Sequence, residues 1–110
     1  MWCLRCGGVG RAAGADPGKG RCVLPLCVDA HDRPGPQRHA AQIENIRYTI
    51  AACRAAAQLG CQVFIGAGSQ AEYGRVEGVL TAQTPCFPEN GYGMAKLCAG
   101  QMSRVECQRL

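Results

Sequence analysis

Two residues one helical turn apart carry the sharpest chemistry in this chain. In Tyr92-Gly93-Met94-Ala95-Lys96 the phenol and the ammonium stand at positions i and i+4, which share one face of a helix. An ammonium beside a phenol favours the phenolate. A phenol tuned in that way serves as a general acid or base near neutral pH. The plainer reading is a surface Tyr and Lys that fall a turn apart by chance. Ser69 lies upstream of Tyr92, just past an apolar run. A hydroxyl there can hydrogen-bond a substrate carbonyl or alkoxide while the Tyr moves a proton; otherwise it is a loop Ser making a local turn bond. Asn45 lies about as far ahead of Ser69 as Ser69 lies ahead of Tyr92. It either holds backbone or a water in the site or is a solvated polar residue of a helix.

These groups need elements to position them, and the sequence from residue 41 onward supplies candidates. Ile43, Ile46, Ile50, Cys53 and Ala57 recur at steps of three and four, which predicts a helix with one apolar face. Gly60 follows as its C-cap. Gln62-Val63-Phe64-Ile65 reads as a short strand that runs into Gly66-Ala67-Gly68-Ser69. A strand ending in small residues and a hydroxyl is typical of the carboxyl edge of a parallel sheet, where ligands bind. Residues 74–91 hold Gly74, Gly78, Pro85, Pro88 and Gly91 and read as a long loop of the kind that is often functional. A second helix is expected from Tyr92 to Cys107, with Met94, Leu97, Cys98 and Val105 as core contacts. The order helix, strand, loop, helix is half of an α/β layer.

The three groups of residues together resemble the extended short-chain dehydrogenase/reductase family, the NAD-dependent epimerases and dehydratases. Asn45-Ile46-Arg47-Tyr48-Thr49 is similar to that family's Asn-Val-x-Gly-Thr helix motif, with Tyr48 where Gly is usual. The stretch Phe64 to Gly74 is similar to its strand-to-Ser-x-x-x-Tyr-Gly segment. Pro88 to Lys96 resembles its Pro-x-x-x-Tyr-Gly-x-x-Lys. The order and spacing of the motifs also agree, and the resemblance covers residues 42–110. It implies Tyr92 as catalytic acid/base, Ser69 as the group that polarises the reacting oxygen, and Lys96 as the residue that holds the nicotinamide ribose and tunes Tyr92. It also places Asn45 with Tyr92 and Lys96 among the residues toward the cofactor, NAD or NADP, and a nucleotide sugar as substrate of the intact relative. Thr81-Ala82 stands where Thr-Glu is common, and Ala95 where Ser is common.

The first forty residues do not match this pattern. They hold seven of the 15 Gly, four of the six Pro and four of the nine Cys, with six basic and three acidic residues. They show no sustained period. Their only strand-like run, Cys22 to Val28, is interrupted by Pro25, which cannot donate to a ladder. Gly7-Gly8-Val9-Gly10 offers glycines, but no apolar strand leads into them as a dinucleotide-binding turn requires. The interval between Gly14 and Asn45 is too short for the βα units that belong there. The expected organisation is therefore an irregular Cys/Gly/Pro-rich segment over 1–40, out of frame with the rest, followed by a partial NAD(P)-binding domain over 41–110. A one-base shift in one permitted coding of Cys22 to Asp29 yields Val-Phe-Tyr-His-Phe-Ala-Trp, a strand-like string resembling the family's fourth strand.

Composition bounds the rest. The 110 residues and 11.6 kDa allow one small domain. The net charge of +4 is too diffuse to imply nucleic acid. No apolar run approaches the roughly 18–20 residues needed to cross a bilayer, and no signal peptide is evident. Nine cysteines, an odd number, with no secretory signal read as reduced thiols in the cytoplasm. Cys3-x-x-Cys6 is half of a zinc site, and Cys22, Cys27, His31 and His39 complete no standard knuckle, so no metal is assigned. The expected whole is a fragment of a Rossmann-like, doubly wound parallel sheet from an NAD(P)-dependent epimerase/dehydratase, inactive alone. The alternatives are a small Cys-rich metal or redox module, and a non-catalytic fragment that docks on a relative through a sheet edge. Homo-oligomerisation is compatible with each.

Overall fold

The computed structural model describes residues 2–5, 21–23 and 38–110. Helix α1 spans Arg38–Gln58 and contains seven alanines, the residue with the best intrinsic helix propensity. It begins ahead of the stretch expected from the sequence. Its end is a Schellman arrangement: the Cys61 N–H donates to the Ala56 carbonyl and the Gly60 N–H to the Ala57 carbonyl, both at 2.9 Å. Gly60 is therefore the C-cap, as expected. Helix α2 spans Gly91–Arg109, and Asn90 caps it by accepting from the Gly93 N–H at 2.7 Å.

Strand β1 (Trp2–Arg5), strand β2 (Arg21–Val23) and strand β3 (Val63–Gly66) form a three-stranded sheet in the order β1-β3-β2. β2 pairs with β3 in parallel, with Cys22 opposite Phe64. β1 pairs with β3 antiparallel, with Leu4 opposite Phe64. Two expectations change here. The first forty residues are not wholly irregular, and the sheet formed by the described residues is mixed, not parallel throughout. β2 ends at Val23, short of Pro25, in keeping with that residue's missing donor. The glycine-rich run over 7–14 lies outside the described residues.

The core is small and built from small side chains. Cys53, Ala56, Cys61, Phe64 and Cys107 form one buried cluster between α1, β3 and α2. Phe64 is its largest side chain and is fully buried. The helix faces differ from the expected ones. On α1 the buried residues are Gln42, Thr49, Cys53 and Ala56, while Ile43 is 58% exposed. On α2 they are Gly93, Ala95, Lys96, Ala99, Ser103 and Cys107, while Met94 and Val105 face outward. Buried hydroxyls are satisfied within their own helices. Thr49 Oγ1 donates to the Asn45 carbonyl at 2.9 Å and Ser103 Oγ to the Ala99 carbonyl at 2.6 Å. Arg54 and Glu106 pair across the two helices.

Cys53, Cys86, Cys98 and Cys107 are free thiols, whereas Cys61 is disulfide-bonded. The expectation that every thiol is reduced is corrected at that residue. Among the described residues no helix is long and apolar enough to cross a membrane, and no three His, Cys, Asp or Glu side chains gather around a metal site.

Because Phe64 is the one large side chain in this buried cluster, Phe64→Ala is expected to cost about 3–5 kcal/mol. Urea unfolding followed by circular dichroism reads this as a lowered midpoint.

Candidate active site

β3 delivers the chain to the site. After Gly66 it runs through Ala67 and Gly68 to Ser69, which caps a single 3-10 turn at Gln70–Glu72. Ser69 and Glu72 form a reciprocal capping box. The Ser69 N–H donates to Glu72 Oε1 at 2.7 Å, and Ser69 Oγ accepts from the Ala71 N–H at 3.2 Å. A hydroxyl has one proton and two lone pairs. With one lone pair engaged by Ala71, the Ser69 proton remains available to a ligand oxygen.

The turn sits directly on the first turn of α2. A Cβ built on Gly93 would lie 2.1 Å from the Ala71 carbonyl oxygen, so only glycine permits this approach. Gly74 has φ +69°, and a Cβ there would lie 2.2 Å from the Phe87 carbonyl oxygen. The long loop thus folds back against the turn that follows β3. Arg75 and Glu89 pair across its two ends at 3.3 Å. Between these parts lies an open cleft of about 370 Å³, lined by Ser69, Gln70, Ala71, Gly74, Asn90 and Tyr92.

Ser69 and Tyr92 therefore meet in one cleft. Lys96 stands one turn further along α2 and is only 9% exposed. Its ammonium makes no hydrogen bond or ion pair with any described residue. Its three N–H groups are therefore open to an acceptor brought by a ligand. Asn45 does not line the cleft. It lies on α1, where its Nδ2 donates to Gln42 Oε1 at 3.3 Å.

Sequence reasoning missed four contributors. Gln70 and Asn90 line the cleft, Glu72 fixes the turn, and the His39 ring packs against Gly91 at the start of α2. The Ser-x-x-Glu spacing at 69–72 was a signal for the capping box, and Asn90 before a helical stretch was one for the cap. Nothing local announces the His39 contact, which joins the first turn of α1 to the first turn of α2.

Two substitutions probe this assembly. Gly93→Ala is expected to push the Ser69 turn away from α2, destabilising the fold by about 1–3 kcal/mol as overpacking does. Asn90→Ala is expected to cost about 1 kcal/mol through loss of the cap. Thermal and urea unfolding read both, and amide shifts at Ser69 and Gln70 should move strongly in Gly93→Ala.

The model of the NAD dependent epimerase/dehydratase family matches residues 21–108. No curated protein and no solved structure matches the chain. The matched stretch contains the cleft, β3, β2 and nearly all of both helices. It starts ahead of the motif-bearing region at 42 and crosses residue 40. Matched over most of its length, with every residue that lines the cleft included, this chain belongs to the NAD dependent epimerase/dehydratase family.

Proposed function

We propose that the chain carries the proton-transfer half of an NAD(P)-dependent epimerase/dehydratase site of the extended short-chain dehydrogenase/reductase type, with Ser69, Tyr92 and Lys96 as its working residues. The observation that supports this reading is the cleft itself. A hydroxyl and a phenol share it, and Lys96, a largely buried residue whose ammonium has no partner among the described residues, lies one turn behind.

The chemistry follows from what each side chain can do. Ser69 Oγ donates a hydrogen bond to the oxygen of an alcohol or ketone and holds it. Tyr92 Oη takes a proton from that oxygen, or returns one to it. Lys96, one turn further along the same helix, offers its protons to ribose hydroxyls of the cofactor. When bound, the nicotinamide supplies the hydride chemistry. Residues suited to the ribose end are thus present. The glycines that would meet a pyrophosphate, Gly7 to Gly14, lie outside the described residues, and no residue is assigned to that role. The substrate class that fits the family is a nucleotide-linked sugar, whose hydroxyl is the proton donor or acceptor for Tyr92.

Residues 1–40 are read here as out of frame with the remainder, against which stand the pairing of β1 and β2 with β3 and the family match from residue 21. The codons for residues 22–29 decide this, because only some allow the shifted strand-like string.

The site reading is tested by adding millimolar NAD or NADP, oxidised and reduced, to isotope-labelled protein. Amide signals of Ser69, Tyr92 and Lys96 are expected to shift together, and Lys96→Met to weaken the response. Melting temperature should stay unchanged, because no described residue is assigned to the pyrophosphate. Shifts confined to other parts of the chain would overturn the assignment. In any turnover the chain supports, Tyr92→Phe is expected to lower kcat by about 10²–10⁴-fold, with little change in KM.

A further inference from the structure

Away from the cleft, α2 carries a second cluster of chemistry-bearing side chains. Met94, Cys98 and Met102 stand at i, i+4 and i+8 and share one helix face. Met94 and Met102 are 53% and 47% exposed. Cys98 is half-buried and is a free thiol. Its Sγ donates to Met102 Sδ at 3.5 Å. None of the three belongs to the buried cluster, and none lines the cleft.

We propose that this sulfur stripe is a binding site for a soft monovalent metal ion, with Cu(I) as the biological candidate. Thiolate and thioether ligands select Cu(I) over harder cations. The spacing suits a shared ion. If each metal–sulfur bond is about 2.3 Å, as in zinc thiolates, two sulfurs 3.5 Å apart subtend about 100° at the metal. Met94, on the preceding turn, is the third donor. The next i+4 position is Glu106, whose carboxylate is already paired with Arg54 on α1, so the donors the stripe offers to a metal are its sulfurs. Binding replaces the Cys98 S–H bond with an S–Cu bond and releases the proton to water. The metal stays in the +1 state, so no electron donor or acceptor is needed.

The other free thiols among the described residues lack this setting. Cys53 and Cys107 are buried in the core, and Cys86 is exposed in the loop between Pro85 and Phe87. Among the described residues, Cys98 is the one that combines access with a second sulfur at contact distance.

The test uses the full chain, reduced and anaerobic, with ¹³C-labelled methionine methyl groups as reporters. These report the thioethers directly, whatever the remaining cysteines bind. On titration with Cu(I), the Met94 and Met102 methyl signals are expected to shift together, and Zn(II) to leave them in place. Cys98→Ser should abolish the Cu(I) shift, while Cys86→Ser should preserve it. Met102→Leu keeps helix propensity and volume, and is expected to weaken the Cu(I)-induced Met94 shift by about tenfold in affinity against a competing chelator. Uptake of Cu(I) with both methyl signals fixed would overturn the site, as would a shift that survives in Cys98→Ser or an unchanged affinity in Met102→Leu.

Discussion

The contact between the Ala71 carbonyl and the unsubstituted Cα of Gly93 governs how this molecule is put together. A strand end and a helix start must meet at a spacing that no side chain tolerates. The capping box at Ser69 and Glu72 fixes one partner, and the Asn90 cap fixes the other. Each uses side chains to satisfy backbone donors that would otherwise be left open. Only after both ends are stiff does the absence of a methyl group at residue 93 place Ser69 beside Tyr92. The cleft is therefore a product of backbone geometry, and Ser69 and Tyr92 come to it from separate elements joined by a long loop.

Lys96 shows the converse economy. The seam between α1 and α2 is made largely from Ala, Cys, Thr and Ser, which allows close approach and leaves little volume to fill. An ammonium buried beside such a seam has few local acceptors. Threonine and serine hydroxyls in the same seam already donate to carbonyls of their own helices. The chain thus satisfies its buried neutral hydroxyls internally, while Lys96 makes no such bond among the described residues.

Much of the site was legible in the sequence because its motifs are local. The Tyr-x-x-x-Lys pair, the strand ending at Ser69 and the cap at Gly60 each occupy a few residues. The fold was less legible wherever size or distance decided the outcome. The expected α1 face holds at Cys53, and Ile46, Ile50 and Ala57 are half-buried, but Ile43 faces solvent and the tight seam also takes Thr49 and Ala56. Met94 and Val105 misled in the same way on α2. The antiparallel pairing of β1 joins the first residues of the chain to its middle, and so short a strand carries no signal for its partner. The same holds for the disulfide at Cys61. Asn45 was read into the site from its motif, yet its side chain bonds to Gln42 on its own helix.

β3 is flanked on both sides, by β1 and by β2. Its backbone donors and acceptors are thereby engaged in two directions at once. Among the described residues, any strand-templated polymerisation would have to start from the outer rims of β1 or β2. Those rims are four and three residues long, and short rims are poor templates. The exposed apolar side chains lie instead on the outward helical surfaces, where Ile43, Tyr48, Met94 and Val105 meet the solvent.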